Sequence, residues 1–211
     1  MLQCGYVGFS NFEKELDCKH ILQKMNDVIK RYCKTEEDYY IQPNISLSHK
    51  RTVSAKGKQP MSIRFNDNTY TICYNGRLYN TDELCSTLKE NGFTFESNSE
   101  AEILLKAFIH YGYDTPKHLN GVFAFAIWNE KKQELFLARD HFGIKPLYYS
   151  HFDNSCIFAS EVKSILAYPN FPVKVDSQGI CELVGIGPAH TPRNLHFRWN
   201  LCIKTCSFCN L

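Results

Sequence analysis

The stretch LNGVFAFAIWNEKKQELFLARDHFGIKPLYYS, Leu119–Ser150, decides how this chain is read. Inside it, VFAFAIW (Val122–Trp128) and ELFLAR (Glu134–Arg139) are apolar and aromatic runs of strand length. The polar residues Asn129–Lys132 between them read as the loop of a β-hairpin.

Working outward, helical signals alternate with these strands. Ile21, Leu22, Met25, Val28 and Ile29 fall on one face of a helix over Cys18–Arg31. Asn80 or Thr81 caps a second helix, which Gly92 ends. Ser99 followed by Glu102 is a capping box, opening a third helix that stops at Gly112. This alternation predicts layered α/β or α+β packing. With 211 residues the chain makes one domain or at most two, with a sizeable core. It has no internal repeat or low-complexity run.

Composition excludes several classes. Lys and Arg number 24 against 22 Asp and Glu, a net charge of +2 that carries no nucleic-acid or membrane signature. The N-terminus lacks a charged region followed by an apolar run, and no stretch is apolar for the length a membrane span needs. Ten cysteines without a signal peptide read as reduced thiols, with Cys18, Cys73, Cys85 and Cys181 in periodic apolar segments. A cytoplasmic protein is expected.

Two short motifs carry chemistry. Cys4 stands almost at the chain start, and a cysteine freed as the N-terminus has its own α-amine (pKa about 7.7–8.0) as general base. Asn75-Gly76 offers a side-chain amide and a backbone N–H that together can form an oxyanion hole, although Asn-Gly is also a common hairpin turn.

Further segments surround these two: SHKR (Ser48–Arg51), KQPM (Lys58–Met61), YNGRLYNTDEL (Tyr74–Leu84), SNSEAEILLKAF (Ser97–Phe108), FASEVKSIL (Phe158–Leu166) and VDSQGICELVGIGPAHTP (Val175–Pro192). In this order, together with Leu119–Ser150, the series resembles the glutamine-hydrolysing domain of asparagine synthase, a class II glutamine amidotransferase. The resemblance spans residues 4–192. It implies an α+β N-terminal-nucleophile fold, a four-layer helix–sheet–sheet–helix sandwich with two antiparallel sheets. It also implies that Cys4 attacks the side-chain amide of L-glutamine, releasing ammonia and leaving a glutamyl thioester that water hydrolyses. Asn75 and Gly76 match the oxyanion pair, and Arg51 matches the arginine that binds the substrate α-carboxylate. In the family a second, synthetase domain uses ATP, Mg and aspartate. No cofactor is therefore expected in this chain, and a synthetase domain in trans is an expected partner.

The chain departs from the family pattern at four places. Leu2 and Gln3 separate Met1 from Cys4, so a free α-amine requires removal of Met1–Gln3. Arg77 and Asn98 stand where the family has two acids that hold the α-ammonium of glutamine. The loop Arg31-Tyr32-Cys33-Lys34 replaces a Gly-Pro turn. One unit charge pair at 4 Å is worth about 4 kcal/mol at an effective dielectric near 20, so the Arg77 change predicts weakened substrate binding. Two readings follow: a working glutaminase domain, or a degenerate one that keeps the fold without turnover.

After Pro192 the resemblance stops, and RNLHFRWNLCIKTCSFCNL follows. A set of codons for Thr191 onward, with one base deleted, reads TPGIFILDGIYVLKPAHFVI, the family's continuation. Residues 193–211 are therefore expected to be a frameshifted tail on a truncated synthase whose synthetase domain is absent. Cys202, Cys206 and Cys209 have the C-x₃-C-x₂-C spacing of a cluster site but lie too close to the chain end to complete one. Zinc binding by these cysteines with His190 or His196 is dismissed with it. His49 and His141 show no ligand spacing and read as structural. A lost synthetase domain would leave an apolar face around Phe142–Tyr149, which predicts a homodimer or poor solubility.

Overall fold

A computed structural model describes residues 5–10, 17–29, 35–53, 57–97 and 99–173, together with the backbone of Leu201–Cys202. Cys4, the 31–34 loop, Asn98, Cys181, the remainder of the tail and its Cys202, Cys206 and Cys209 side chains lie outside the described residues.

The hairpin at the centre of Leu119–Ser150 is present. Strands β6 (Gly121–Asn129) and β7 (Glu134–Arg139) pair antiparallel, from Ala124 opposite Arg139 to Asn129 opposite Glu134. Asn129 thus belongs to the strand, and the loop is 130–133, one residue later than its polarity predicts. The Asn129 Oδ1 accepts from the Lys132 N–H (3.2 Å), so the side chain closes a turn that its backbone does not enter.

Residues 122–129 of β6 are buried on both faces, and the alternation of the strand sorts them into two cores. Phe123, Phe125 and Ile127 pack with Leu84 of α2 (Thr81–Glu90) and Leu104 and Phe108 of α3 (Glu100–Tyr111). Ala124, Ala126 and Trp128 pack instead with Tyr6, Leu47 and Phe158. Those three come from β1 (Gly5–Ser10), β3 (Ile45–Thr52) and β9 (Ser155–Ala159) of the other sheet. A third core, with Val7 and Phe9 of β1, Leu22 and Met25 of α1 (Cys18–Asp27), and Ile165 of α4 (Val162–Leu166), lies on that sheet's outer face.

The layers are therefore helix, sheet, sheet, helix. One sheet contains β1, β3 and β9 with β2 (Thr35–Gln42), β8 (Tyr148–Phe152) and β10 (Leu201–Cys202), in the order β10-β8-β9-β1-β3-β2. The other orders β4 (Met61–Phe65), β5 (Asn68–Leu78), β6 and β7 as β4-β5-β6-β7. Every described pairing is antiparallel. This is the α+β sandwich that the resemblance implies.

The helix signals hold with local corrections. α1 ends at Asp27, short of Arg31, and Val28 is only half-buried. Asn26 turns inward instead and donates to Ser48 Oγ on β3 (2.7 Å). Asn80, not Thr81, is the N-cap of α2, yet its amide serves another end: it donates to the His118 carbonyl and accepts from the Asn120 N–H, each at 3.0 Å. It thereby ties the entry of β6 to the end of β5. Ser99 caps α3 by accepting from the Glu102 N–H (3.2 Å). Glu102 does not complete the box but accepts from the Glu96 and Ser97 N–H groups at 2.8 and 2.7 Å.

Candidate active site

Asn75-Gly76 is strand, not turn. Both residues lie in β5, paired with Ala124 and Phe123 of β6. β5 outlasts its other neighbour: β4 begins with Met61 opposite Ile72, so the β5 residues after Ile72 have no β4 ladder partner. Beyond Ile72 the β4-side edge of β5 is open to side chains.

Among the described residues, Gln59, His49 and Glu100 use that edge. Gln59, whose place in the register is opposite Tyr74, accepts the Tyr74 N–H through Oε1 at 2.6 Å. The His49 Nε2, reaching across from β3 of the other sheet, lies 3.1 Å from the Tyr74 carbonyl oxygen. Glu100, at the start of α3, accepts from the Leu78 N–H (3.0 Å) and from the Tyr74 hydroxyl (2.7 Å). Successive peptide groups of a strand alternate in direction, so the Gly76 N–H points to this same edge, between the sites that Gln59 and Glu100 occupy. Gly76 is required there. A Cβ would lie 2.4 Å from the Val122 carbonyl oxygen and 2.8 Å from the Phe123 Cα, both backbone atoms of β6.

Asn75 shares the inter-sheet face of β5 with Cys73 by alternation, and it is buried. Facing it, β1 starts at Gly5, one residue after Cys4, with Gly5 opposite Lys50 and Tyr6 opposite His49 of β3. Arg51 is the next residue along β3 and lies on the same face as His49 and Leu47. The fold thus gathers Asn75, Gly76 and Arg51 at one end of the sandwich. Cys4 precedes the strand that adjoins them.

The guanidinium of Arg51 has company. Register places Glu36 of β2 opposite it, and the Glu36 carboxylate accepts from the Arg51 Nη2; Asp38 approaches the Arg51 Nε at 3.8 Å. Lys58 reaches Asp38 at 3.3 Å. A Cβ on Gly57 would lie 3.6 Å from the Cβ of Ser99, so the 57–60 loop touches α3's cap while Gln59 holds β5. Arg77 turns outward, its side chain 70% exposed, and pairs with Glu100 at 2.9 Å. Arg77 is thereby partnered by a carboxylate.

His49 and Gln59 were not singled out as site residues in the sequence. His49 is fully enclosed, and burial above all, with a lesser push from Arg51, lowers its pKa to about 4 despite the opposing bond to Tyr74. The ring is therefore neutral at pH 7. Because the Tyr74 carbonyl can only accept, Nε2 carries the ring hydrogen and donates. A lone histidine in SHKR gives no hint of a partner 25 residues away in another sheet.

At the far end of the hairpin, Asp140 shapes the next loop. Its buried carboxylate accepts from the N–H groups of Phe142, Ile144 and Lys145 at 2.9–3.1 Å. The loop it fixes presents Phe142, 90% exposed, and Ile144, 57% exposed.

Relatives agree with this architecture. A family model described as a glutamine amidotransferase domain matches residues 3–201. Asparagine synthetase [glutamine-hydrolyzing] 3 of Bacillus subtilis (strain 168) is 39% identical over 193 residues, 90% of this chain and 31% of that protein. Asparagine synthetase [glutamine-hydrolyzing] 1 of the same organism is 34% identical over 198 residues, 91% of this chain and 31% of its own length. The chain thus spans about a third of the curated relatives it matches. Among solved structures, the glutamine phosphoribosylpyrophosphate amidotransferase of B. subtilis superposes with a TM-score of 0.62 at 20% identity, covering 78% of this chain and 43% of that one. That likeness is one of fold. The strand-borne Asn75-Gly76 pair, the four-layer sandwich and the match over 3–201 make this chain a member of the glutamine amidotransferase domain family, related to the glutamine-hydrolysing domains of asparagine synthetases.

Proposed function

We propose that the chain hydrolyses the side-chain amide of L-glutamine. The sulfur of Cys4 attacks the amide carbon, and the thiol proton passes to the α-amine of Cys4 once residues 1–3 are removed. The carbonyl oxygen becomes an oxyanion between the Asn75 side-chain amide and the Gly76 N–H. Collapse expels the amide nitrogen as ammonia, carrying the proton returned by the α-amine. Water then cleaves the γ-glutamyl thioester, regenerating the thiol and giving glutamate. Arg51 is the group suited to the substrate α-carboxylate, as a planar two-pronged donor.

One observation carries this reading: β5 runs past the end of β4, so the Gly76 N–H faces an unzipped edge while Asn75 faces β1 and β3. The outward turn of Arg77 onto Glu100 supports it further, since the site need not hold two unneutralised cations. By the family resemblance we assign the α-ammonium contact to Asn98, with Arg77 neighbouring that end but turned outward onto Glu100.

The ammonia would serve a synthetase domain of the kind implied by the longer relatives, in cis or in trans. We take 4–192 as the amidotransferase unit and 193–211 as a divergent tail. We place the reaction in the cytoplasm, in keeping with four free thiols at Cys18, Cys73, Cys85 and Cys156. No helix among the described residues is long and apolar enough to cross a membrane.

Steady-state release of ammonia and glutamate tests the reading. Turnover that Cys4→Ala abolishes and Asn75→Ala lowers by roughly 10²–10³ is expected. Equal turnover in the Asn75→Ala protein would overturn the assigned oxyanion site.

A further inference from the structure

An oxyanion hole is worth its place only if its donors are fixed before charge develops. In this chain the strand that bears them has lost its neighbour where fixation is needed. β4 contributes nothing past the Met61–Ile72 pair, and β6 holds β5 from one side only. The Tyr74 peptide groups, on the residue directly before Asn75, face the open side. Partners reach them from different directions: Gln59 from the loop leading into β4, and His49 from the opposite sheet. Both side chains are buried, so neither bond competes with bulk water.

We propose that His49 and Gln59 are positioning residues for amide cleavage, a two-point clamp on Tyr74 that substitutes for the missing strand and sets the direction of Asn75 and Gly76. The proposal rests on the glutaminase reading. His49 contributes a second constraint that no β4 residue could supply: it locks β5 to β3, the strand whose next inward-facing residue is Arg51. Because β3 also pairs with β1 from Gly5 onward, one imidazole ties together the strands bearing the oxyanion donors, the carboxylate-binding arginine and the start of the strand after Cys4. The clamp touches no substrate atom. Its loss should lower the rate of the chemical step and leave ground-state affinity nearly unchanged.

The test uses the full chain and three substitutions. His49→Met removes the donor while keeping bulk, His49→Gln returns an N–H near the Nε2 position, and Gln59→Leu removes the acceptor. His49→Met and Gln59→Leu are expected to lower kcat at least about tenfold, toward the loss of roughly 10²–10³ seen when one oxyanion donor is deleted. KM should stay within about twofold. His49→Gln should recover most of the rate. In parallel, the amide resonances of Asn75 and Gly76 should move in the first two variants while those of Leu135 and Leu137 in β7 stay in place. Unchanged kcat in His49→Met, or a rate loss with the Asn75 and Gly76 resonances unmoved, overturns the clamp. A wild-type chain without turnover would refute the glutaminase reading by itself, and the resonances would still decide the clamp.

Discussion

On the proposed assignment, a substrate carboxylate at Arg51 competes with the protein's own acids. Glu36 and Asp38 already face the guanidinium, and Glu36 is about half exposed on an edge strand. An exposed pair of this kind is worth about 0.2–1 kcal/mol. Glu36→Gln should therefore lower KM for glutamine by about two- to fivefold with kcat unchanged, measured by ammonia release; a raised KM would show that Glu36 aids binding. Gly76→Ala has a different signature. The new methyl group meets the β6 backbone, which cannot yield as a flexible side chain could, so a loss of about 1–3 kcal/mol is expected in urea unfolding. Asn75-Gly76 offered a local motif that a hairpin turn would equally explain, and Arg51 entered only through the family resemblance; their strand placement came from the fold. Nothing local marked Glu36 or His49: their meaning comes from β2–β3 register and from contact between sheets.

Among the elements, α3 shows how far local pattern reaches. Ser99 and Glu102 announced its start correctly, since a cap acts within one turn. The destination of the Glu102 carboxylate was not legible, because it binds the preceding loop and Lys106 at 2.5 Å. Burial alone would raise its pKa, but Lys106 and the Glu96 and Ser97 donors outweigh burial and hold it at about 2. Its folded pKa is below its ordinary value of 4.5, so the stabilisation is complete above that pH and is lost as pH falls toward 2. Acid unfolding should follow this course, and Glu102→Gln should flatten the stability profile between about pH 4.5 and 2. An unchanged profile would remove Glu102 as the source. His49 works over another window. With its folded pKa depressed to about 4, the unfolded chain gains a proton first, and stability declines as pH drops from its ordinary 6.5 toward 4. His49→Gln should remove that component. The β6–β7 hairpin needed no such help, as its apolar runs and polar loop were readable to within one residue.

For the whole molecule, layer order was beyond periodicity, because β6 is buried on both faces and its sequence cannot say which core lies on which side. Resemblance supplied the four layers, and the sorting of alternate β6 residues into two cores bears that out. The exposed Phe142 and Ile144 on a loop pinned by Asp140 are a whole-molecule liability. Self-association is expected at high concentration in a sizing experiment, reduced in Phe142→Ser; a monomer at all concentrations would contradict it. The most direct test of the central claim is the intact mass of folded protein after incubation with a glutamine-mimicking diazo-ketone electrophile. The account predicts a single adduct at Cys4, on a chain that has lost Met1–Gln3. A folded, full-length and unmodified chain would contradict it.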